Sequence, residues 1–393
     1  MIRFSTRRLL LSLLVALPCA FTVACGSDDA GGTSGSGGSG GGTGGGGTGG
    51  VGGGAGGAVG GCSEQSLADC EYPRLGVKFT IQKGLTVTDA VTSRVLPIWV
   101  RVPEGSGPFP LVVWSHGGGF NPAGQTQSTE WADTLAAHGY AVITIGHIPV
   151  DATAGQAFCD LGKVPVAECS LSGDEDSTGL FALVKTRDVI AVLDELPNLS
   201  AASVKAGGPA VDLDHVVVSG WSAGSRAPIV THGAVFLPSP SAPPMTMIHT
   251  LPMAAIALSP IGPGYAGFFD DASGNTWQDI RGPVLMLTGD NDVKPSKPDL
   301  TGADRRIAFE KQPADGKRWL LYSKLEPGVG QHPTYALEDL GSSDERVARL
   351  SHALRSTVLA YLDHQVRNDA TAKAWLDSQN AAILAGAAEW VHK

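Results

Sequence analysis

The sequence predicts an α/β domain, a doubly wound and mostly parallel sheet with helices on both faces. Three observations predict it. Short, nearly all-apolar runs such as residues 109–114 (Phe-Pro-Leu-Val-Val-Trp) have the composition of strands buried on both faces. Those runs alternate with segments of helical periodicity, which builds parallel sheets rather than sandwiches or bundles. Several runs end in loops rich in glycine, aspartate or histidine, which collects polar chemistry at the strands' carboxyl ends.

The first residues read as targeting rather than fold. Arg3, Arg7 and Arg8 precede an apolar run over 9–16 that is too short to span a bilayer, so residues 1–25 are expected to be a signal peptide. Thr6-Arg7-Arg8-Leu9-Leu10 also looks like a twin-arginine export signal, although arginines are expected in any basic leader, and the export route stays open. Cys25 follows Thr22-Val23-Ala24 and meets polar sequence at once, an arrangement that resembles a bacterial lipoprotein processing site. Lipidation of Cys25 and cleavage to a soluble secreted chain are the two readings. Residues 26–61 then form a linker: from Gly31 to Gly61, 21 of 31 residues are glycine. No core can form from that composition, and a random coil of this length spans roughly 30 Å.

Residues 62–393 are long enough for one large core and are expected to be a single catalytic domain with a helical extension over 343–393. The net charge of −10 and the lack of a basic block argue against nucleic acid or an anionic membrane as partner. Membrane attachment would come only through the N-terminal lipid, and the oligomeric state is left open. Cys62, Cys70, Cys159 and Cys169 remain beyond the leader. In an oxidising compartment the spacings suggest the local pairs Cys62-Cys70 and Cys159-Cys169, though four cysteines permit three pairings. No histidine lies at zinc-ligand spacing from them, so no metal is expected.

In chain order, residues 77–82 and 94–102 read as opening strands, and 109–114 delivers His116-Gly117-Gly118-Gly119 into a loop. Residues 131–138 read as a helix closed by Gly139, and 140–145 as the next strand. Residues 151–173 carry Gly, Pro and both inner cysteines without clear periodicity, and read as a stapled loop near the pocket mouth. Asp174, Glu175 and Asp176 suit the N-terminus of a helix that runs over 180–196.

The strand run 214–219 leads into Gly220-Trp221-Ser222-Ala223-Gly224. Two glycines let a strand turn sharply into a helix with the central serine at the apex, hydroxyl exposed. Ser222 is therefore the candidate nucleophile. A serine needs a base for its proton and donors for the oxyanion formed on attack. The donors would be the N–H of Ala223 and of Gly118 or its neighbours Gly117 and Gly119. Further strands over 252–259 and 283–288 lead to Gly289-Asp290-Asn291-Asp292, where either aspartate can orient an imidazole. After a last strand over 318–323, a Gly-rich loop presents His332, the one of ten histidines in the chain position of a base and acid. This chemistry requires no cofactor.

Other groups are expected around that site. His116 would order the oxyanion loop, Phe120 follows it, Trp221 would wall the nucleophile, and His147, just after a strand, is either a structural residue or a contact lining the pocket. Loops over 237–244 and 260–267 are expected over the sheet's active edge, with an uncharged acyl group easier to accommodate than a polyanion. Residues 343–366 and 370–391 read as two amphipathic helices, the first burying Leu350, Leu354, Val358 and Tyr361, with one of them covering the last strand's edge.

Residues 105–340 resemble the α/β-hydrolase superfamily, in the bacterial branch similar to platelet-activating-factor acetylhydrolases and dienelactone hydrolases. The resemblance lies in Trp114-Ser115-His116-Gly117-Gly118-Gly119, the elbow around Ser222, Gly289-Asp290-Asn291-Asp292 and Gly330-Gln331-His332. It implies hydrolysis of a small or polymeric carboxylic ester through an acyl-enzyme on Ser222. It favours Asp292 as the acid, leaving Asp290, the alternative, to cap the turn. Dienelactone hydrolases carry cysteine where this chain has Ser222, and some acetylhydrolases carry their acid after the preceding strand, where residues 259–264 here hold no carboxylate. Amide or peptide cleavage and a catalytically idle binding protein are the alternative readings.

Overall fold

In the chain's computed structural model, residues 62–171, 178–294 and 297–393 are described. The expected leader, the lipidation site Cys25, the linker and the acidic run at Asp174, Glu175 and Asp176 lie outside those residues.

The opening hairpin pairs β1 (Phe79–Thr88) with β2 (Val95–Pro103) antiparallel, and β2 runs antiparallel to β4 (Ala141–Ile145). From there the sheet is parallel. Strand β4 lies beside β3 (Phe109–Ser115), which pairs with β5 (Val211–Trp221), then β6 (Pro252–Leu258). A two-residue hairpin, β7 (Asp270–Asp271) and β8 (Gly274–Asn275), stands apart. The main sheet continues through β9 (Val284–Gly289) and β10 (Arg318–Ser323) to an antiparallel β11 (Ala388–His392), giving the order β1-β2-β4-β3-β5-β6-β9-β10-β11.

Strand periodicity sends alternate residues into two cores. Val112 and Trp114 join Trp131 and Leu135 of α1 (Thr129–Ala137) in one core, together with Leu350, Leu354 and Val358 of α6 (Glu345–Arg367). Leu111 and Val113 face the other way, against Val189 and Val192 of α3 (Gly179–Lys205). The helices α2 (Ala152–Leu161), α4 (Arg226–Thr231) and α5 (Gly302–Glu310) also contribute to the cores on that second side. Because the crossover out of β3 uses α1 and the one into β5 uses α3, on opposite faces, the strand order reverses between β3 and β5. In open α/β sheets that reversal opens a crevice at the strands' carboxyl ends.

Three expectations need correction. The described part of the 151–173 stretch, residues 151–171, is not a plain loop. It holds α2, whose first turn is capped by the Asp151 carboxylate accepting the Ala154 N–H, and a turn of 3-10 helix at Val166–Glu168. The helix α2 was hard to read because its buried stripe is only Ala154, Phe158 and Cys159. Helix α3 continues past Pro197, where the sequence suggested an end, since Leu196 and Leu199 still pack on the sheet. The tail is not two helices. After α6 come α7 (Ala370–Leu376) and α8 (Asn380–Ala385), and beyond Gly386 at φ 88° the chain becomes β11, so a strand rather than a helix covers β10. The disulfides are the local pairs Cys62-Cys70 and Cys159-Cys169. Among the described residues no helix is long and apolar enough to cross a membrane.

One buried polar cluster ties the start of the domain to α6. The Asp363 carboxylate accepts from Tyr72 Oη, Tyr140 Oη and His138 Nε2, each at 2.9 Å, and from Arg367 at 2.8 Å. Burial alone would raise its pKa, but His138 and Arg367 hold it below the usual carboxylate range. Its stabilising contribution is therefore complete above about pH 4, the unfolded value, and lost as pH falls through the lower folded value. Asp363→Asn should cost about 3 kcal/mol in urea unfolding at pH 7, with the gap to the parent narrowing as the pH drops below about 4. Equal stability at pH 7 would show that the cluster is idle.

Candidate active site

Strand β5 ends at Trp221, and Ser222 begins a 3-10 turn, Ser222–Ser225, that feeds α4. Ser222 itself has φ 54°, a left-handed conformation that non-glycine residues adopt at a cost and that marks functional turns. The flanking glycines are sterically required. A Cβ at Gly220 would overlap the Gly224 carbonyl, and one at Gly224 would overlap the carbonyls of Ser115 and His116. The elbow is thus pressed against the end of β3.

The Ser222 Oγ lies 2.8 Å from His332 Nε2, and His332 Nδ1 lies 2.6 Å from Asp292 Oδ1. A carboxylate can only accept, so Nδ1 carries the proton and Nε2 is left to accept from the serine hydroxyl. This is a Ser-His-Asp catalytic triad. His332 opens a 3-10 turn over His332–Ala336, while Asp292 sits in the loop after β9.

Asp292 is fully buried, and burial alone would push its pKa up. The Arg305 guanidinium, the His332 contact and the Thr288 hydroxyl at 2.8 Å outweigh that and hold it below the ordinary carboxylate value, so it is ionised at neutral pH. Arg305 is also a mechanical tie. Its Nε donates to the Asp292 carbonyl at 2.8 Å, and its Nη1 donates to the carbonyls of Ser259 and Pro260, both at 2.9 Å. It therefore joins the ends of β6 and β9 from α5.

The alternative acid, Asp290, accepts from Tyr322 Oη at 2.6 Å and takes no part in the triad. Asn291, between the two aspartates, donates to the carbonyls of Leu325, Glu326 and Val329 and so pins the loop that carries His332. Neither Asn291 nor Arg305 stood out in the sequence. Their roles depend on carbonyls supplied by distant segments, which no local pattern encodes.

The glycine loop after β3 lies beside the nucleophile. A Cβ on Gly117 would strike the Trp221 ring and lie 3.3 Å from Ser222 Cβ, whereas Gly118 at φ 67° and Gly119 face open space. Trp221 stands 4.9 Å from the His332 ring, centroid to centroid. Of the other residues expected at the pocket, His116 is buried with Nδ1 2.6 Å from the Gly117 carbonyl, and Phe120 packs at 4.8 Å on Phe181 of α3. His147 is placed as the structural alternative had it. It is fully buried behind the loop, between Ser115 Oγ at 2.8 Å and Asp188 at 2.9 Å.

A cleft does open at Ser222 and Ala223, walled by Ile261, Tyr265 and Leu300 and by the cations Arg226, Lys294 and Lys297. The basic side of this wall has no local signature in the sequence, because Arg226 opens α4 while the two lysines lie far along the chain, after β9. The expected 260–267 loop does reach the cleft, through Ile261 and Tyr265. Among the described residues no group of His, Cys, Asp or Glu is placed to hold a metal.

Labelling of Ser222 by a fluorophosphonate reads the triad without assuming a substrate. Asp292→Asn should slow it by about 10³-fold or more, since the imidazole loses its oriented tautomer. Asp290→Asn should leave the rate within about threefold of the parent. The reverse order would move the acid to Asp290.

No protein-family model matches the chain, and no curated protein matches it. Its place is set by geometry. The strand order, the strained serine turn between β5 and α4, and the acid and histidine carried after β9 and β10 make this an α/β-hydrolase-type fold bearing the catalytic triad of a serine hydrolase.

Proposed function

We propose that the protein is a carboxylic ester hydrolase working through an acyl-enzyme on Ser222. The observation that carries the reading is the continuous relay from Ser222 Oγ through His332 to Asp292, at 2.8 and 2.6 Å. Ser222 Oγ attacks the ester carbonyl carbon while His332 Nε2 takes the hydroxyl proton. Asp292, an ionised carboxylate, stabilises the imidazolium that results. The oxyanion is received by the N–H of Ala223 and those of Gly117 and Gly118. Collapse breaks the bond to the alkoxide, which leaves with the proton from Nε2. Water then adds to the acyl-enzyme with His332 again as base, releasing the acid and restoring Ser222. An alkoxide leaves more readily than an amine, so an ester asks less of the one proton that His332 supplies. The motif resemblance to acetylhydrolase-like and dienelactone-hydrolase-like esterases supports the same substrate class.

We infer further that the chain is exported and held at the bacterial cell envelope by a lipid on Cys25, with residues 26–61 as a tether. The basic leader, the small residue before Cys25 and two disulfides support this reading.

Purified protein should turn over short-chain and long-chain p-nitrophenyl esters unequally, with Ser222→Ala reducing kcat by about 10³-fold or more. Turnover of p-nitroanilide analogues at rates equal to the matching esters would replace the ester reading with an amidase. Cells fed labelled palmitate should incorporate it in the parent and not in Cys25→Ser, and an unlabelled parent chain recovered from the medium would remove the lipid anchor.

A further inference from the structure

Behind the glycine loop lies a set of buried charged and titratable groups that the triad does not use. Lys185 Nζ donates to the His116 carbonyl at 2.7 Å. His116 Nδ1 is 2.6 Å from the Gly117 carbonyl. Ser115 Oγ bonds His147 Nε2 at 2.8 Å, His147 Nδ1 bonds Asp188 Oδ2 at 2.9 Å, and Asp188 Oδ1 pairs with Arg94. Arg94 also donates to the Ile148 carbonyl. Ser115, His147, Lys185 and Asp188 are all without solvent contact, and His116 and Arg94 nearly so. Moving such charges out of water is unfavourable, and apolar residues of like volume would fill the same space. The arrangement repeats a serine, histidine, aspartate order, but its serine cannot meet a substrate.

What the cluster does control is the direction of two peptide groups. In a planar trans peptide the carbonyl and the following N–H point opposite ways. The His116 carbonyl is held by the Lys185 ammonium, so the Gly117 N–H is directed away from it. The Gly117 carbonyl can accept only from the protonated His116 Nδ1, so the Gly118 N–H is directed away from that ring. Burial foremost, and then the Lys185 charge, hold the His116 pKa well below its ordinary value, which keeps the ring neutral with its one proton free to sit on Nδ1. Gly117 itself stands against Ser222.

We propose that Lys185 and His116 are positioning residues for the oxyanion: by holding the His116 and Gly117 carbonyls inward, they hold the N–H groups of Gly117 and Gly118 toward the reacting carbonyl. The chain Ser115-His147-Asp188-Arg94 fixes the end of β3 on which this loop is mounted. The inference deepens the oxyanion assignment made above and rests on it.

The test is the second-order rate of Ser222 phosphonylation by a fluorophosphonate, since negative charge also develops on the phosphoryl oxygen, beside kcat and KM for a p-nitrophenyl ester. Lys185→Met, which removes the donor and keeps the length, should lower both phosphonylation rate and kcat by about 30-fold or more, short of the 10²–10³ for deleting a donor outright, with KM within about threefold. Lys185→Gln, which retains an N–H, should recover part of the loss. Asp363→Asn, placed in the remote cluster on α6, should lower the melting temperature yet label at the parent rate, which separates positioning from stability. Folded Lys185→Met that labels within about threefold of the parent would overturn the proposal. If Lys185→Met does not fold, His116→Phe carries the same expectation and the same overturning result. A parent protein that labels at Ser222 but cleaves no ester would defeat the ester reading alone, leaving the labelling comparison to decide this one.

Discussion

The site depends on how closely two strand ends approach. The carbonyls of Ser115 and His116, at the end of β3, lie where a Cβ on Gly224 would be, and the Gly224 carbonyl lies where a Cβ on Gly220 would be. Only glycine tolerates this, and the consequence is that the nucleophile and the glycine loop after β3 are set against each other by backbone contact. The strained φ at Ser222 is maintained because the turn is held on both sides: by the β3 end, and by Ser225, whose hydroxyl donates to the Ser222 carbonyl at 2.6 Å. The rest of the sheet can be regarded as what keeps β3 and β5 in register, Ser115 opposite Gly220, so that this contact occurs.

Electrostatics then divides the site into two unlike halves. On the acid side a buried carboxylate is kept ionised by an arginine that also ties neighbouring strand ends together, so charge and position come from the same residue. On the side of the glycine loop His116 and His147 are kept neutral by burial, foremost, and by the Lys185 charge. A neutral ring can hold a carbonyl by one fixed proton, while an ionised carboxylate steadies the charge that passes through His332. The same residue type thus serves opposite ends of one reaction because its surroundings differ.

Much of this was legible in the sequence. The elbow, the order of Ser222, Asp292 and His332, and the parallel strands follow from local runs whose glycines and β-branched residues have few other uses. The choice between Asp290 and Asp292 came from resemblance, and the structure gives its cause: Tyr322 occupies Asp290. What could not be read was anything held by distant partners. Arg305 acts through three carbonyls from two loops, and His147, which follows a strand, finds its partner in Asp188 of α3. The tail misled for a different reason. Residues 388–392 are helix-compatible in composition, and only the open edge of β10 makes them a strand.

The first described residues are fastened in a particular way. The Cys62-Cys70 bond closes a small loop, the Cys70 carbonyl accepts the Trp375 indole N–H at 2.8 Å, and Tyr72 is bound to Asp363. A tension applied at residue 62 is therefore passed through a covalent ring into α6 and α7 within a dozen residues, before it reaches β1. Shear flow or thermal tugging on whatever precedes residue 62 would be borne by the helical layer, and the spacing between Ser222 and the glycine loop would be mechanically shielded from it.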